Sequence, residues 1–182
     1  MPISTVDIEG ILIFTPRIFT DDRGYFYESF RADQYADFGI IKPFVQENQA
    51  YSTRGALRGL HYQTGEMAQA KLVRVIVGEV LDVAVDLRPT SKTYGKVYSI
   101  ILSGDNHKQM YVPRGFAHGY LVLSDEAIFT YKCDNYYSKQ HEGGIRYDDP
   151  FFNIDWQMED AELILSAKDL ELPYFGNHMP AI

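Results

Sequence analysis

Lys71-Leu72-Val73-Arg74-Val75-Ile76-Val77-Gly78-Glu79-Val80-Leu81-Asp82-Val83-Ala84-Val85-Asp86-Leu87-Arg88 is the most periodic stretch of the chain. Val73, Val75, Val77, Leu81, Val83, Val85 and Leu87 share one parity, and Arg74, Asp82, Asp86 and Arg88 the other. Alternation of period two marks strands with one buried face, and Gly78-Glu79 predicts a turn, so the reading is two paired strands. Further short strands are predicted at 96–102, 109–112, 119–123 and 127–133, separated by Ser103-Gly104-Asp105-Asn106, Pro113-Arg114-Gly115 and Ser124-Asp125-Glu126. Upstream, 11–15, 24–30 and 44–51 also read as extended. Helix is expected only at 31–38 and, as a short helix or turn packed outside, at 158–169. Many short, evenly spaced strands predict an antiparallel sandwich or barrel. No repeat or linker divides the chain, so one domain is expected over 1–182.

Composition narrows the function. The 182 residues carry 25 acidic against 17 basic side chains, a formal charge of −8, which disfavours general nucleic-acid binding and requires any anionic ligand to be met by locally placed cations. The single cysteine, Cys133, excludes an intramolecular disulfide framework and a cysteine-rich zinc site. The sequence shows no basic leader and no apolar run of about 18 residues, so neither signal peptide nor membrane span is expected and the cytoplasm is the default address. Aromatic residues are 14% of the chain, with 14 Tyr and 11 Phe against one Trp. That bias suits strands, and each buried Tyr brings a hydroxyl that needs a partner.

His61 lies in Arg58-Gly59-Leu60-His61-Tyr62-Gln63 and His118 in Pro113-Arg114-Gly115-Phe116-Ala117-His118-Gly119-Tyr120, while His107, His141 and His178 read as surface residues. A metal site of the His-x-His kind fails at Gln63, although His61, Glu66 and His118 remain as a set whose distances nothing in the sequence sets. Acid–base chemistry needs a base, an acid and a group to hold developing negative charge. His61 is the candidate base. Tyr131 shares the parity of Phe129 and Cys133, which makes it a core tyrosine with a satisfied hydroxyl or an acid held in a dry pocket. Lys71 is either the cation for that charge or a solvated lysine at a strand start. Ser166-Ala167-Lys168-Asp169 reads as a capping box or as the source of a catalytic carboxylate. Asp21-Asp22-Arg23-Gly24-Tyr25-Phe26-Tyr27-Glu28-Ser29-Phe30 reads as a nucleotide-facing segment or as a hairpin with aromatic cross-strand pairs.

These segments, with Gln46-Glu47-Asn48, Lys71-Leu72-Val73-Arg74-Val75, Asp82 to Arg88, Tyr131-Lys132, Tyr136-Tyr137 and Ile154-Asp155-Trp156, resemble the dTDP-4-dehydrorhamnose 3,5-epimerases over nearly the whole chain. That resemblance implies an all-β, cupin-like jelly-roll sandwich or barrel with a few short peripheral helices, acting without metal or cofactor as a cytoplasmic homodimer. The implied reaction inverts C3 and C5 of dTDP-4-dehydro-6-deoxy-D-glucose through an enolate, for dTDP-L-rhamnose and cell-surface polysaccharide. Inversion of one carbon only, or sugar-nucleotide binding without catalysis, are the alternatives. By resemblance His61 is the base, Asp169 its carboxylate partner, Tyr131 the acid and Lys71 the cation near the 4-keto oxygen. Arg58 and His118 match contacts to sugar or diphosphate, Gln46, Glu47 and Asn48 polar contacts, and Glu142 and Lys168 outer contacts. Tyr137 matches the ring that stacks on thymine. Arg23, Phe26 and Glu28 match residues donated across the dimer to the neighbouring site. The chain departs from the family pattern at Glu47, where aspartate is frequent, and at Arg146-Tyr147, where a Leu-Trp pair is usual.

Overall fold

The computed structural model describes residues 3–182. In chain order its strands are β1 Ile3–Thr5, β2 Leu12–Phe14, β3 Phe19–Asp21, β4 Gly24–Phe26, β5 Gln46–Thr53, β6 Leu57–Gln63, β7 Lys71–Val77, β8 Glu79–Asp86, β9 Val97–Ser103, β10 Gln109–Val112, β11 Phe116–Val122, β12 Glu126–Cys133 and β13 Glu142–Gly144. Helix is confined to α1 Ala32–Ala36, α2 Ala167–Leu170 and single 3₁₀ turns. The strands form a six-stranded sheet ordered β1-β2-β10-β7-β12-β5 and a five-stranded sheet ordered β13-β6-β11-β8-β9, with β3-β4 a separate hairpin. Every strand pair is antiparallel. The result is the expected all-β jelly-roll sandwich.

The periodic stretch 71–88 does form two strands, but they do not pair with each other. β7 lies between β10 and β12 in one sheet, and β8 between β11 and β9 in the other. The chain therefore steps across the sandwich at Gly78, whose φ is +79° and whose missing side chain leaves room for the Glu126 carbonyl, 2.0 Å from where a Cβ would stand. The expected polar face of β8 is corrected as well. Val80, Ala84, Tyr120 and Phe129 pack between the sheets with Val73 and Val75. Leu81, Val83, Val85 and Leu87 pack on the other face, beneath Ile145, Tyr147, Phe152 and Trp156 of the C-terminal segment. Asp82 and Asp86, both fully buried, thus share the inward parity of Val80 and Ala84. Asp86 tolerates burial because Arg88 Nε (2.8 Å), Ser91 Oγ (2.6 Å) and Thr93 Oγ1 (2.6 Å) all donate to its carboxylate, which keeps its pKa low against the opposing effect of desolvation. Asp82 belongs to the site described below.

The same parity rule arms the interior of the six-stranded sheet. On β12, Ala127, Phe129, Tyr131 and Cys133 face inward, as the sequence predicts, and Ile128, Thr130 and Lys132 take the alternate parity. Register then places Tyr131 opposite Val73 on β7 and Asn48 on β5. In the facing sheet, β6 and β11 approach closely where two glycines meet. Gly59 has φ +133°, and a Cβ there would stand 2.6 Å from Gly119 Cα. The β6–β11 register shifts at this point, between His118 and Tyr120. Gly59→Ala combines backbone strain with overpacking and is expected to cost roughly 3 kcal/mol, read as a lower urea midpoint at unchanged m-value.

Candidate active site

His61 projects from β6 with its backbone in register with His118 on β11. Its Nε2–H donates to Asp169 Oδ1 at 2.5 Å, and the Asp169 side chain is only 5% exposed against 30% for His61. Asp169 comes from α2, where Ser166 caps the helix by accepting from the Asp169 backbone N–H at 3.1 Å. The two readings of Ser166-Ala167-Lys168-Asp169 are therefore both half true: the serine caps, and the carboxylate turns to the histidine. Desolvation pushes the Asp169 pKa up, but hydrogen bonds from His61, Ser166 and the Gly59 amide outweigh it and hold the group ionised below the usual carboxylate range. With Nε2 committed to Asp169, Nδ1 is the ring nitrogen left to take a proton.

Tyr131 faces His61 from the opposite sheet. Burial raises its phenol pKa, with Asn48 opposing, so the hydroxyl keeps its proton at neutral pH. The Lys71 ammonium stands 5.7 Å from the centre of the Tyr131 ring, and burial pulls its pKa below the usual lysine range, which makes it a readier proton donor to a developing oxyanion. His118, 6% exposed, donates through Nε2 to Asp82 Oδ1 at 2.9 Å. Asp82 Oδ2 is buried without a hydrogen-bond partner. A second His–Asp pair thus sits beside the first, and sequence reasoning missed it because the alternation of β8 assigned Asp82 to the outer face. Ser52 was missed too; its Oγ accepts from Arg58 Nε at 3.1 Å and fixes the guanidinium.

These groups line two adjoining cavities of about 550 and 360 Å³ that share His61, Lys71 and Tyr131. Arg58, His118 and Lys168 border the larger, which also has an apolar end at Ala50 and Phe129. Gln46, Asn48, Tyr137 and Glu142 border the smaller. Tyr137 is half exposed, and its hydroxyl donates to Glu142 Oε2 at 3.1 Å, while Lys168 pairs with Glu142 Oε1. Of the four cations Arg23, Arg58, Lys71 and Lys168, the last three meet in one cavity.

Four named residues are not brought to this site within the chain. Glu47 has the opposite parity to Gln46 and Asn48 on β5, and its carboxylate accepts from Lys132 Nζ at 2.7 Å. Arg23, Phe26 and Glu28 lie on or just after the β3–β4 hairpin, where Phe19 and Phe26 form the expected aromatic cross-strand pair. Arg23 is paired with Asp21, and Phe26 is 70% exposed. His61, Glu66 and His118 form no ligand cluster, since no group of three His, Cys, Asp or Glu side chains converges among the described residues. His107, His141 and His178 are half-buried rather than superficial.

The family model described as dTDP-4-dehydrorhamnose 3,5-epimerase matches residues 5–177. The chain belongs to this family. It is 49% identical over 173 residues to the dTDP-4-dehydrorhamnose 3,5-epimerase of Escherichia coli K12, covering 94% of this chain and 93% of that one. The crystal structure of the Elizabethkingia anophelis NUHP1 enzyme superposes with a TM-score of 0.93 at 48% identity, covering 96% of each chain. A Legionella pneumophila dTDP-6-deoxy-D-glucose-3,5-epimerase in complex with dTDP-4-keto-L-rhamnose superposes at 0.91 and 46% identity, covering 95% of this chain and 92% of that one. More distant, at 35% identity and 0.87, is ChmJ of Streptomyces bikiniensis, a 3'-monoepimerase in complex with dTDP-quinovose, over 93% of this chain and 85% of that one. The jelly roll described above is thus the cupin-like fold of these epimerases.

Proposed function

We propose that this chain inverts C3 and C5 of dTDP-4-dehydro-6-deoxy-D-glucose to give dTDP-4-dehydro-L-rhamnose, with His61 as base and Tyr131 as acid. The observation that carries this reading is that His61, paired with Asp169, and Tyr131 lie on strands of opposite sheets and border one cavity. Inversion at carbon requires a proton to leave one face and another to arrive at the opposite face, and a base and an acid on facing sheets supply that. The C3 and C5 hydrogens are both α to the C4 ketone, so loss of either gives an enolate. Lys71 and the Asp82-backed His118 stabilise its oxygen. Arg58 and Lys168 serve as counter-charges for the diphosphate in an otherwise acidic protein, Gln46 and Asn48 hydrogen-bond the substrate, and Tyr137 stacks on thymine.

The exposed hairpin bearing Arg23, Phe26 and Glu28 completes the neighbouring site in a homodimer under this proposal, which accounts for aromatic side chains left in solvent. The chain works as one catalytic domain, in the cytoplasm, supplying a deoxysugar for cell-surface polysaccharide. No helix among the described residues is long and apolar enough to cross a membrane. The likeness to ChmJ supports a second reading, inversion at C3 alone. Proton NMR of the product formed in deuterium oxide separates the two: deuterium at both C3 and C5 is expected, whereas label confined to C3 would overturn double inversion.

A further inference from the structure

Gln63 is the position at which a His-x-His metal reading fails, and no role in the proposed reaction falls to it. It ends β6 two residues after His61, so by the period-two rule both side chains project from the same face of the strand. Gln63 is 5% exposed and borders the smaller cavity together with His61 and Tyr137. A buried carboxamide needs partners, and the Gln63 Oε1 finds one 75 positions along the chain, accepting from the Ser138 backbone N–H at 2.7 Å. A backbone N–H can only donate, so it is the amide oxygen, not the nitrogen, that faces this loop.

Ser138 follows Tyr137 in the segment 134–138, which runs from the end of β12 to the 3₁₀ turn Lys139–His141 with no regular structure of its own. Two consecutive amides of the segment are held by glutamines from opposite sheets. Gln46 Oε1, on β5 of the six-stranded sheet, accepts from the Tyr137 N–H at 3.0 Å, and Gln63, on β6 of the five-stranded sheet, takes the next. Glu142, the partner of Gln63 across the β6–β13 pair, holds the other end of Tyr137 by accepting from its hydroxyl at 3.1 Å. The Tyr137 ring itself is half exposed, so its pose depends on these three bonds more than on packing. Of the three holding side chains only that of Gln63 is buried, and its geometry is therefore set by the protein interior before any ligand arrives.

We infer that Gln63 is a positioning residue for the nucleotide: by holding the Ser138 amide it fixes Tyr137 in the pose in which the ring meets thymine. This rests on the proposed stacking of Tyr137 on thymine. A ring ordered in advance binds more tightly than one that must be ordered by its ligand, so loss of this bond weakens nucleotide binding and leaves the proton transfers at His61 and Tyr131 in place.

Gln63→Met keeps the length of the side chain and removes the acceptor. Calorimetric titration with dTDP is compared for the parent, Gln63→Met, Tyr137→Ala and the double variant. Tyr137→Ala is expected to weaken binding about tenfold or more, the loss of one base stack, and Gln63→Met about fivefold. Because Gln63 acts through the ring, the double variant is expected to bind no more than about twofold more weakly than Tyr137→Ala alone. In turnover, Gln63→Met is expected to raise KM about fivefold with kcat within about twofold of the parent. Additive losses in the double variant would overturn the inference, since Gln63 would then act on the nucleotide directly, and so would parent-like dTDP affinity in a Gln63→Met protein with native near-UV circular dichroism. Should that variant not fold, amide hydrogen exchange in the parent is the test: after correction for intrinsic rates the Ser138 N–H is expected to exchange about tenfold or more slowly than the Lys139 N–H, and equal rates would overturn the inference. If Tyr137→Ala itself leaves dTDP affinity unchanged, it is the stacking reading that has failed, and that single variant tells the two failures apart.

Discussion

His61→Ala is expected to lower turnover about 10²–10⁴-fold, the range lost with a positioned general base, while dTDP binds within a factor of two of the parent. The split follows from geometry. His61 Nε2 is committed to Asp169, and in the proposed mechanism its remaining nitrogen is the group that meets the carbon acid. The proposed nucleotide contacts are made by other residues, at Arg58, Gln46 and Tyr137. Loss of hydrogen exchange at C3, followed by NMR in deuterium oxide, is the direct readout, because exchange reports abstraction whether or not inversion follows. An unchanged exchange rate would remove His61 from the role of base. Isothermal titration with dTDP supplies the binding control.

Tyr131→Phe is expected to separate abstraction from inversion. The base remains, so C3–H still exchanges with solvent, but the acid on the opposite sheet is gone and inverted product falls about 10²-fold or more. The substitution removes one oxygen and keeps the ring that packs against the interior cluster beside Phe129, so the fold should stay intact. Because burial raises the Tyr131 pKa, its proton is present through neutral pH, and an alkaline fall in the parent's inversion rate below the ordinary tyrosine range is expected to report Lys71, whose pKa burial lowers. Deuterium entering C3 with retained configuration is the signature to look for; equal losses of exchange and inversion would instead mean that Tyr131 holds the substrate rather than protonating it.

Much of the fold is readable in the residues themselves. The alternation of 126–133 predicts both a strand and the inward direction of Tyr131, because on a pleated strand parity is direction once one inward residue is known. Parity says nothing about which faces are covered, however, and β8 shows the consequence. Its outer face is buried by the 145–182 segment, so the apolar residues turn toward that segment and the charged parity turns inward, carrying Asp82 to His118. The predicted pairing of β7 with β8 fails for a related reason. A glycine turn between two strands serves a hairpin and a sheet-to-sheet crossing equally well, and only the partners available to each strand decide.

The candidate site divides along the same line. His61, Lys71, Tyr131 and Asp169 were each visible as residues with two meanings, and the resemblance to a family gave them roles. What sequence by itself determined was the period-two strands, the absence of a cysteine framework, and an acidic chain whose ligand-facing cations had to be few and local. Tertiary structure alone decided that Asp169 reaches His61 across 108 positions of chain, that Arg58, Lys71 and Lys168 share a cavity, and that Asp82 is an inward carboxylate. The physical reason is that local pattern sets conformation and facing within one strand, whereas a charge pair or a cavity is a property of two surfaces brought together by the packing of the whole chain.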